Sequence, residues 1–361
     1  MPMIDADTHV DETDETWSYL KGDDARFAPI TVSQDTPGAS DELPKGYNRY
    51  WLIDGKLRVR RIRDDERTGT VQATRELQDV GARLRHMDQL GVDMQIMYPT
   101  LFLMQVSGRP DVETALCKSY NRWMADKCAE GGGRLRWVAP LPLLNMEATL
   151  EELEFVKEHG ACGILKKGRE CDNRLASDPY FFPLYEAASR LDIPVCVHLG
   201  TGDPELRDAA PDGIAGMLSL TLPVLDAFHA LIIRGIPQKF PKLRVGFIEA
   251  TASWLPYLFT ELRRGHQRKP NSWLKGFELS QDLLRENHFY VTCDTFDDLE
   301  QVINLAGDDN FMIGSDYGHA DMSAEIDALR ILQEHAAEKQ VTQQALSKIL
   351  DDNARAFYGL A

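Results

Sequence analysis

The amino-acid sequence predicts an α/β protein of the (β/α)8 TIM barrel class, with a long insertion after the first strand. Two observations lead to this prediction. Eight short segments of the 361 residues are continuously apolar, as parallel strands are when both of their faces are covered. Segments with apolar residues spaced by three and four positions lie between them, and such alternation of strands and helices is typical of a parallel sheet.

The eight predicted strands follow one another at intervals along the chain. Each is a short run rich in Val, Ile, Leu, Met or Phe, which is the composition of a buried strand. In chain order they are Met3–His9, Gly91–Pro99, Arg134–Leu143, Gly160–Gly168, Ile193–Gly200, Lys242–Ala250, Asn287–Thr295 and Asn310–Gly318.

Helical patterns occupy the segments between these strands, and most of them end at glycine or proline, which terminate helices. In order they are LQDVGARLRHMDQLG, VETALCKSYNRWMADKCAEGG, ATLEELEFVKEHG, PYFFPLYEAASRLD, TLPVLDAFHALIIRGIPQKFP, DLEQVINLAG and SAEIDALRILQEHAAE. A doubly wound open sheet uses the same elements. It is the weaker alternative because no glycine-rich phosphate-binding loop follows the first strand.

Residues 11–75 interrupt this alternation, because no clear strand–helix unit follows the first strand there. A hairpin is predicted within them, with its turn at Asp54 and Gly55. A segment that leaves the carboxyl end of a barrel strand lies over the face where barrels bind ligands. We therefore expect a lid or a partner surface that carries Trp17 and Trp51, although an insertion without a functional role explains the pattern nearly as well.

The composition is that of a globular protein with a large core, with 43% hydrophobic and 27% charged residues. No linker or internal repeat divides the chain, so we predict one domain over residues 1–361. The net charge of −17 disfavours nucleic acid and anionic membranes as partners. No apolar run of about 18 residues and no leader segment is recognisable, so we expect a cytoplasmic protein. The six cysteines show no C-x-x-C pairing and are expected to be reduced core thiols.

Three ionisable residues, Asp7, His9 and Glu12, lie in and just after the first strand. Asp7 and His9 are two positions apart, so on a strand they face the same side. Two titratable side chains at the end of a buried strand need a partner, and a divalent metal ion is the usual one. On this segment alone, a polar strand edge explains the residues about equally well.

Ionisable residues also follow the later strands. The carboxyl ends of all strands of a barrel meet at one mouth, where barrel enzymes have their active sites. Carboxylates gathered there repel one another unless a cation is bound. Each residue alone has a structural explanation such as a helix cap, but their convergence predicts a metal site. By strand they are Lys166 and Lys167 on the fourth, His198 on the fifth, Glu249 on the sixth, Asp294 on the seventh, and Asp316 with His319 after the eighth.

Five segments form a combination that is specific as a set: DADTHVDE, IPVCVHLG, GIPQKFPKLRVGFIEATASWLPY, FMIGSDYGHAD and LSKILDDNARAFYGL. In this combination the chain resembles the amidohydrolase superfamily, in its amidohydrolase-2, decarboxylase-like branch. The resemblance implies a (β/α)8 barrel that binds one or two metal ions. It also implies the ligands Asp7 and His9 on the first strand, His198 on the fifth and Asp316 on the eighth.

The chain departs from the pattern of this branch at Glu12 and Glu249. Glu12 extends the opening to Asp-x-His-x-x-Glu, and Glu249 occupies the position where the decarboxylases of the branch have a histidine. A glutamate can act as a base or as a metal ligand, but it does not supply an imidazolium proton donor at neutral pH. The departures therefore disfavour ordinary decarboxylation.

The leading hypothesis from the sequence is an O2-dependent hydroxylase (monooxygenase) of a small organic molecule. The oxygen-rich ligand set suits Mn²⁺ or Fe²⁺ better than zinc. The Asp-x-His-x-x-Glu motif at the start of the chain resembles that of superfamily members that look like non-haem dinuclear Fe or Mn/Fe oxygenases. Two ions per chain are expected. One would be held by Asp7, His9, His198 and Asp316, and the other by Glu12, Glu249 and His319.

Two alternatives stay open. A metal-dependent hydrolase or decarboxylase would act through a metal-activated water or on a carboxylate substrate, with Zn²⁺ as a further candidate ion. Asp316 would then act as general base. For the enzyme in general, the expected catalytic residues are Asp316, Glu249 and His319. Lys166 or Lys167 would then be a candidate for carboxylation, as in other branches of the superfamily, although a basic patch that binds a substrate carboxylate explains them more simply. The second alternative is a catalytically inactive structural subunit. In each case we expect a homo-oligomer or a pairing with a related chain.

Overall fold

Parallel strands dominate the computed structural model, which describes residues 1–33, 49–60, 63–201, 217–268, 280–320, 323–338 and 341–360. Within these residues the strands are β1 Ile4–Val10, β2 Ile30–Ser33, β3 Arg49–Ile53, β4 Lys56–Val59, β5 Met94–Pro99, β6 Leu135–Pro140, β7 Ala161–Lys167, β8 Arg169–Glu170, β9 Arg174–Leu175, β10 Val195–His198, β11 Val245–Ile248, β12 Phe289–Cys293 and β13 Phe311–Ile313.

Eight of these strands form one parallel sheet in the order β1-β5-β6-β7-β10-β11-β12-β13. They correspond one to one to the eight predicted strands, and most are shorter than predicted because the flanking residues already belong to turns. The strands of the sheet are almost entirely buried on both faces, which explains why they are continuously apolar.

Helices lie between the strands of this sheet, as the sequence predicts. Val80–Leu90, for example, begins after Asp79, whose side chain accepts a hydrogen bond from the backbone N–H of Ala82, and it ends at Gly91 with φ of 71°. The α-helices of the described residues are Asp65–Thr68, Gln72–Arg75, Val80–Leu90, Pro110–Glu130, Met146–Glu158, Phe182–Leu191, Leu222–Ile233, Ile236–Lys239, Leu255–Arg268, Leu283–Glu286, Leu299–Ala306, Ala328–Glu338, Gln343–Ser347 and Asn353–Tyr358.

The sheet closes into a barrel where the first strand meets the segment after the last one. The backbone N–H of His9 donates to the carbonyl of Tyr317 at 2.8 Å, and the N–H of Asp316 donates to the carbonyl of Asp7 at 3.0 Å. Gly314 makes this approach possible, because a Cβ atom there would lie 2.4 Å from the Cβ of Asp7. The (β/α)8 barrel prediction is confirmed, and the open-sheet alternative is excluded.

A buried arginine stabilises this closure. Arg83 is 0% exposed, and its guanidinium donates to the carbonyl of His9 at 3.0 Å, to Oγ1 of Thr8 at 3.1 Å and to Oε1 of Gln95 at 2.8 Å. It also lies 4.5 Å from the ring centre of Tyr317. One side chain from the first long helix therefore holds β1, β5 and the segment after β13 together.

The described part of the insertion forms a three-stranded antiparallel sheet in the order β2-β3-β4. The predicted hairpin turn at Asp54 and Gly55 is confirmed, because Ile53 pairs with Lys56. Trp17 and Trp51 are buried and meet edge to face at 5.8 Å. Residues 34–48 and 61–62 of the insertion lie outside the described residues, and its role as a lid within a single domain stays a prediction.

All six cysteines are free thiols. Among the described residues, no helix combines the length and the apolar character that crossing a membrane requires.

Candidate metal centre

The carboxyl ends of four strands bring five of the predicted ligands together at the barrel mouth. Asp7 and His9 come from β1, His198 is the last residue of β10, Glu249 directly follows β11, and Asp316 comes three residues after β13. Each is at most 9% exposed. Glu249 and Asp316 have φ of 58° and 52°, a left-handed conformation that is unfavourable for residues other than glycine and concentrates at functional sites.

The ligand atoms of these residues converge on a common space. The Nε2 atom of His9 lies 3.5 Å from Oδ1 of Asp7 and 3.3 Å from Oδ1 of Asp316. Nε2 of His198 lies 3.2 Å from the same Asp7 oxygen. These side chains cannot all form hydrogen bonds with one another, yet they surround one point. The ligands of a bound cation have this arrangement.

Two overlapping sets of four residues have ligand atoms within 4.8 Å of one another. They share His9 and Glu249. A carboxylate can bridge two ions, but an imidazole nitrogen has one lone pair and binds one ion. The Nε2 atom of His9, which faces Asp7, Glu249 and Asp316, can therefore bind an ion of only one set at a time. The first set is Asp7, His9, His198 and Glu249, and the second is His9, Glu249, Asp316 and His319.

The electrostatics of the site fit a bound cation. Burial raises the pKa of Asp7, but the imidazole of His198 outweighs this effect and lowers the pKa below its ordinary value. Burial lowers the pKa of His198, but the Asp7 and Glu249 carboxylates raise it above its ordinary value. The carboxylates therefore stabilise the protonated form of His198, and a divalent ion can take the place of that positive charge.

The hydrogen bonds of the two histidines also fit a metal ion. Nδ1 of His198 lies 2.8 Å from the carbonyl of Leu199, so that Nε2 faces the centre, which is the usual arrangement of a histidine ligand. Neither ring nitrogen of the buried His9 makes a hydrogen bond of good geometry within the described residues. A metal ion satisfies such a nitrogen.

Ser323 orients two of the carboxylates. Its hydroxyl lies 2.7 Å from Oε1 of Glu249 and 3.1 Å from Oδ2 of Asp316. The other oxygen of each, Oε2 of Glu249 and Oδ1 of Asp316, then faces His9. A pocket lined by Asp7, Glu249, Asp316 and Ser323 opens beside them and also includes the predicted strand-end residue Asp294.

His319 lies against the same centre. Its ring stacks on that of His9, and its Nδ1 lies 2.8 Å from Oδ1 of Asp316. Its Nε2 lies 3.1 Å from Oγ1 of Thr100. Both nitrogens thus have polar partners, and these define the orientation of the ring.

Glu12 is not brought to the centre, contrary to the expectation that it is a ligand. Its carboxylate accepts hydrogen bonds from the backbone N–H groups of Thr100 at 3.1 Å and Leu101 at 2.9 Å. These amides begin a 3₁₀ helix and have no partner within it. The chain leaves β1 after Val10, so the side chain of Glu12 no longer follows the direction of Asp7 and His9.

Lys166 and Lys167 also lie outside both sets of candidate ligands. The ammonium group of Lys166 lies 2.8 Å from Oε1 of Glu170, and that of Lys167 lies 3.1 Å from Oε2 of the same residue. The structure therefore does not support a carboxylated lysine that bridges two metal ions.

Sequence reasoning missed Thr100, Ser323 and Arg83. Thr100 directly follows the second predicted strand, and this position at a strand end could have identified it as a residue of the barrel mouth. Ser323 lies in a loop, and nothing in the sequence relates it to Glu249. Arg83 lies on a helix where a charged residue is ordinarily exposed.

The amidohydrolase-2 family model, described as "Amidohydrolase", matches residues 4–360. One curated relative is the 2-amino-3-carboxymuconate-6-semialdehyde decarboxylase of Dictyostelium discoideum, 22% identical over 245 residues, which cover 66% of this chain and 66% of that protein. Another is the gamma-resorcylate decarboxylase of Rhizobium sp. (strain MTP-10005), 26% identical over 287 residues, which cover 71% of this chain and 84% of that protein.

Solved structures show the same fold. An amidohydrolase from Mycobacterium avium subsp. paratuberculosis K-10 superposes with a TM-score of 0.77 at 19% identity and covers 99% of both chains. A dihydroxybenzoic acid decarboxylase from Polaromonas sp. JS666, with bound manganese and the inhibitor 2-nitroresorcinol, superposes with a TM-score of 0.65 at 21% identity and covers 99% of this chain and 97% of that one.

At these identities the superpositions establish the fold alone. The family match covers nearly the whole chain, and it confirms both the resemblance found in the sequence and the prediction of an enzyme. The chain belongs to the amidohydrolase-2 family of the amidohydrolase superfamily.

Proposed function

We propose that the protein is a divalent-metal-dependent decarboxylase of a small hydroxylated aromatic or unsaturated carboxylic acid. The observation that carries this proposal is that Asp7, His9, His198 and Asp316 bring ligand atoms within 3.2–3.5 Å of one another, from neighbour to neighbour, at the mouth of an amidohydrolase-2 barrel. Both curated relatives described above are decarboxylases of such acids. Decarboxylation was one of the alternatives to the oxygenase hypothesis. We now prefer decarboxylation, because none of the relatives reported above is an oxygenase.

Asp7, His9, His198 and Asp316 would hold one ion, with Glu249 beside it. We propose a single ion because His9 can serve only one. Oxygen and imidazole donors suit Mn²⁺, and manganese is the ion in the Polaromonas structure. When bound, the ion would supply positive charge that binds the carboxylate and a neighbouring hydroxyl oxygen of the substrate.

The site must also deliver a proton. Loss of CO2 from an electron-rich ring requires a proton at the carbon that carries the carboxylate, and a positioned acid accelerates such a transfer. His319 and Asp316 are the candidates, since Nδ1 of His319 lies 2.8 Å from Oδ1 of Asp316. In this proposal His319 supplies the imidazole that is absent at position 249. Glu249, whose Oε2 lies 3.5 Å from Nδ1 of His198, orients that histidine.

The experiment is a CO2-release assay on the Mn²⁺-loaded protein, under air and under nitrogen. The substrates are 2,6-dihydroxybenzoate, 5-carboxyvanillate and related hydroxybenzoates. We expect CO2 and the decarboxylated phenol in equal amounts, at the same rate in both atmospheres. Turnover that stops under nitrogen and consumes O2 under air would contradict decarboxylation and restore the oxygenase hypothesis.

A further inference from the structure

A second pocket lies at the carboxyl ends of β6 and β7, and β7 is the neighbour of β10 in the sheet. The pocket is not lined by any of the candidate metal ligands. Its walls combine apolar and charged side chains. Its lining includes Phe102, Leu141, Leu165, Glu113, Lys167 and Glu170.

The side chain of Lys167 projects from the same face of the sheet as that of the candidate metal ligand His198. Lys167 is the last residue of β7 and pairs in register with His198 on β10. Partners in register on neighbouring parallel strands are about 5 Å apart and project to the same face. Lys166 precedes it and projects to the opposite face, where its ammonium group lies 3.7 Å from the ring centre of Phe181.

The charges of this region do not cancel. Glu170 is shared between the two lysines, with Oε1 2.8 Å from Lys166 and Oε2 3.1 Å from Lys167. One carboxylate thus faces two ammonium groups. Glu113 also lines the pocket, but burial raises its pKa to about 7, so part of it is uncharged at neutral pH. A cation that is buried without a full counter-charge favours the binding of an anion.

We propose that this pocket, with the ammonium group of Lys167 in its wall, binds a second anionic group of the substrate. The preferred substrate would then be an aromatic dicarboxylate or a comparable dianion. The inference rests on the proposed function, because it assigns the carboxylate that is lost to the metal centre and the remote anion to Lys167. The apolar walls formed by Phe102, Leu141 and Leu165 would contact the ring between them.

Binding is the better test, because it stays informative when the proposed reaction is wrong. Mn²⁺-loaded wild-type protein, Lys167→Gln and Lys166→Gln are titrated with benzene-1,3-dicarboxylate and with benzoate in a calorimeter. Lys166→Gln is the matched control, since it removes the same charge from the same glutamate on the other face of the strand. Manganese content and thermal unfolding verify that each variant is folded and loaded.

We expect the wild-type protein to bind the dicarboxylate about tenfold more tightly than benzoate, which corresponds to about 1.4 kcal/mol. Lys167→Gln should lose this preference, and Lys166→Gln should keep it. Equal affinities in the wild-type protein would overturn the proposal whether or not the variants fold. Equal losses in the two variants would also overturn it, because both lysines would then act through Glu170 alone. A dianion preference without CO2 release would contradict the proposed function and leave this inference standing.

Discussion

The imidazole rings of His9 and His319 stack with their centres 3.8 Å apart and their planes 15° from parallel. The two residues are at opposite ends of the sequence, on the first strand and after the last. Their contact lies at the seam where the barrel closes, which also joins Asp7 to Asp316 through the backbone. Closure of the barrel therefore brings Asp7 and His9 together with Asp316 and His319 at the candidate metal centre.

His319→Gln tests the role of His319 as a proton donor. Its ring is held by Asp316 and Thr100, and loss of a positioned acid typically slows a reaction by about 100-fold or more. We expect kcat to fall by this factor while the manganese content stays that of the wild type. The exposed His159 is the control residue, and His159→Gln should be as active as wild type. Unchanged kcat in His319→Gln would exclude the role.

Asp7→Asn and Glu12→Gln separate a metal ligand from a residue that binds backbone amides. Asp7 lies between both histidines, so we expect the asparagine variant to bind Mn²⁺ at least about 100-fold more weakly. Glu12 contacts Thr100 and Leu101 instead, and its variant should keep a near wild-type dissociation constant. Mn²⁺ titration measures both. Comparable losses in the two variants would make Glu12 a ligand after all.

Arg83→Met tests whether the buried arginine stabilises the seam. The change leaves acceptors on Thr8 and His9 without their donor, and buried unsatisfied groups cost about 1–3 kcal/mol each. We expect the free energy of unfolding in urea to fall by about 3 kcal/mol. The control is Arg85→Met on the same helix, whose exposed pair with Asp79 contributes about 0–1 kcal/mol. Equal effects of the two changes would show that the seam does not depend on Arg83.

The stability of the metal-free protein should depend on pH. Burial raises the pKa of Asp5 to about 7 and the pKa of Glu12 to about 8. In the unfolded chain both carboxyls titrate near about 4, so from there to about pH 8 the folded protein binds more protons than the unfolded chain. The free energy of unfolding should therefore fall as the pH rises through this window.

His198 acts in the same direction, whereas His9, whose pKa is lowered by burial, opposes the fall below its ordinary pKa and reduces the slope there. The pKa of His198 is raised in the folded protein, so its contribution is complete below its ordinary pKa and is lost as the pH rises above it. Asp7, whose pKa is lowered, loses its contribution only at acidic pH, below this window. Urea unfolding at pH 5, 6, 7 and 8 measures the trend. Glu12→Gln cannot ionise and should show a shallower fall, and a stability that rises with pH would contradict the account.

Much of the fold and part of the site are predictable from the sequence. The strands are recognisable because burial on both faces leaves them continuously apolar, and the barrel rule then places His198, Glu249 and Asp316 at one mouth. This reasoning does not extend to Glu12, which the sequence grouped with Asp7 and His9. Spacing relates residues only while the chain remains a strand, and the chain leaves β1 before Glu12.

The contacts that orient the site are harder to predict. Thr100 and Ser323 act through hydroxyl groups, which are common in loops, and their partners are distant in sequence. The prediction of two metal ions per chain stays untested. The prediction rests on counting carboxylates, whereas our proposal of one ion rests on the two candidate ligand sets that share His9.

The central claim is that Asp7, His9, His198 and Asp316 surround one divalent ion. The anomalous difference map of a crystal soaked in Mn²⁺ tests it directly. We predict one peak at the barrel mouth, about 2.0–2.5 Å from ligand atoms of all four residues. No peak there, or a peak that lacks His9 or His198 within bonding distance, would contradict the account.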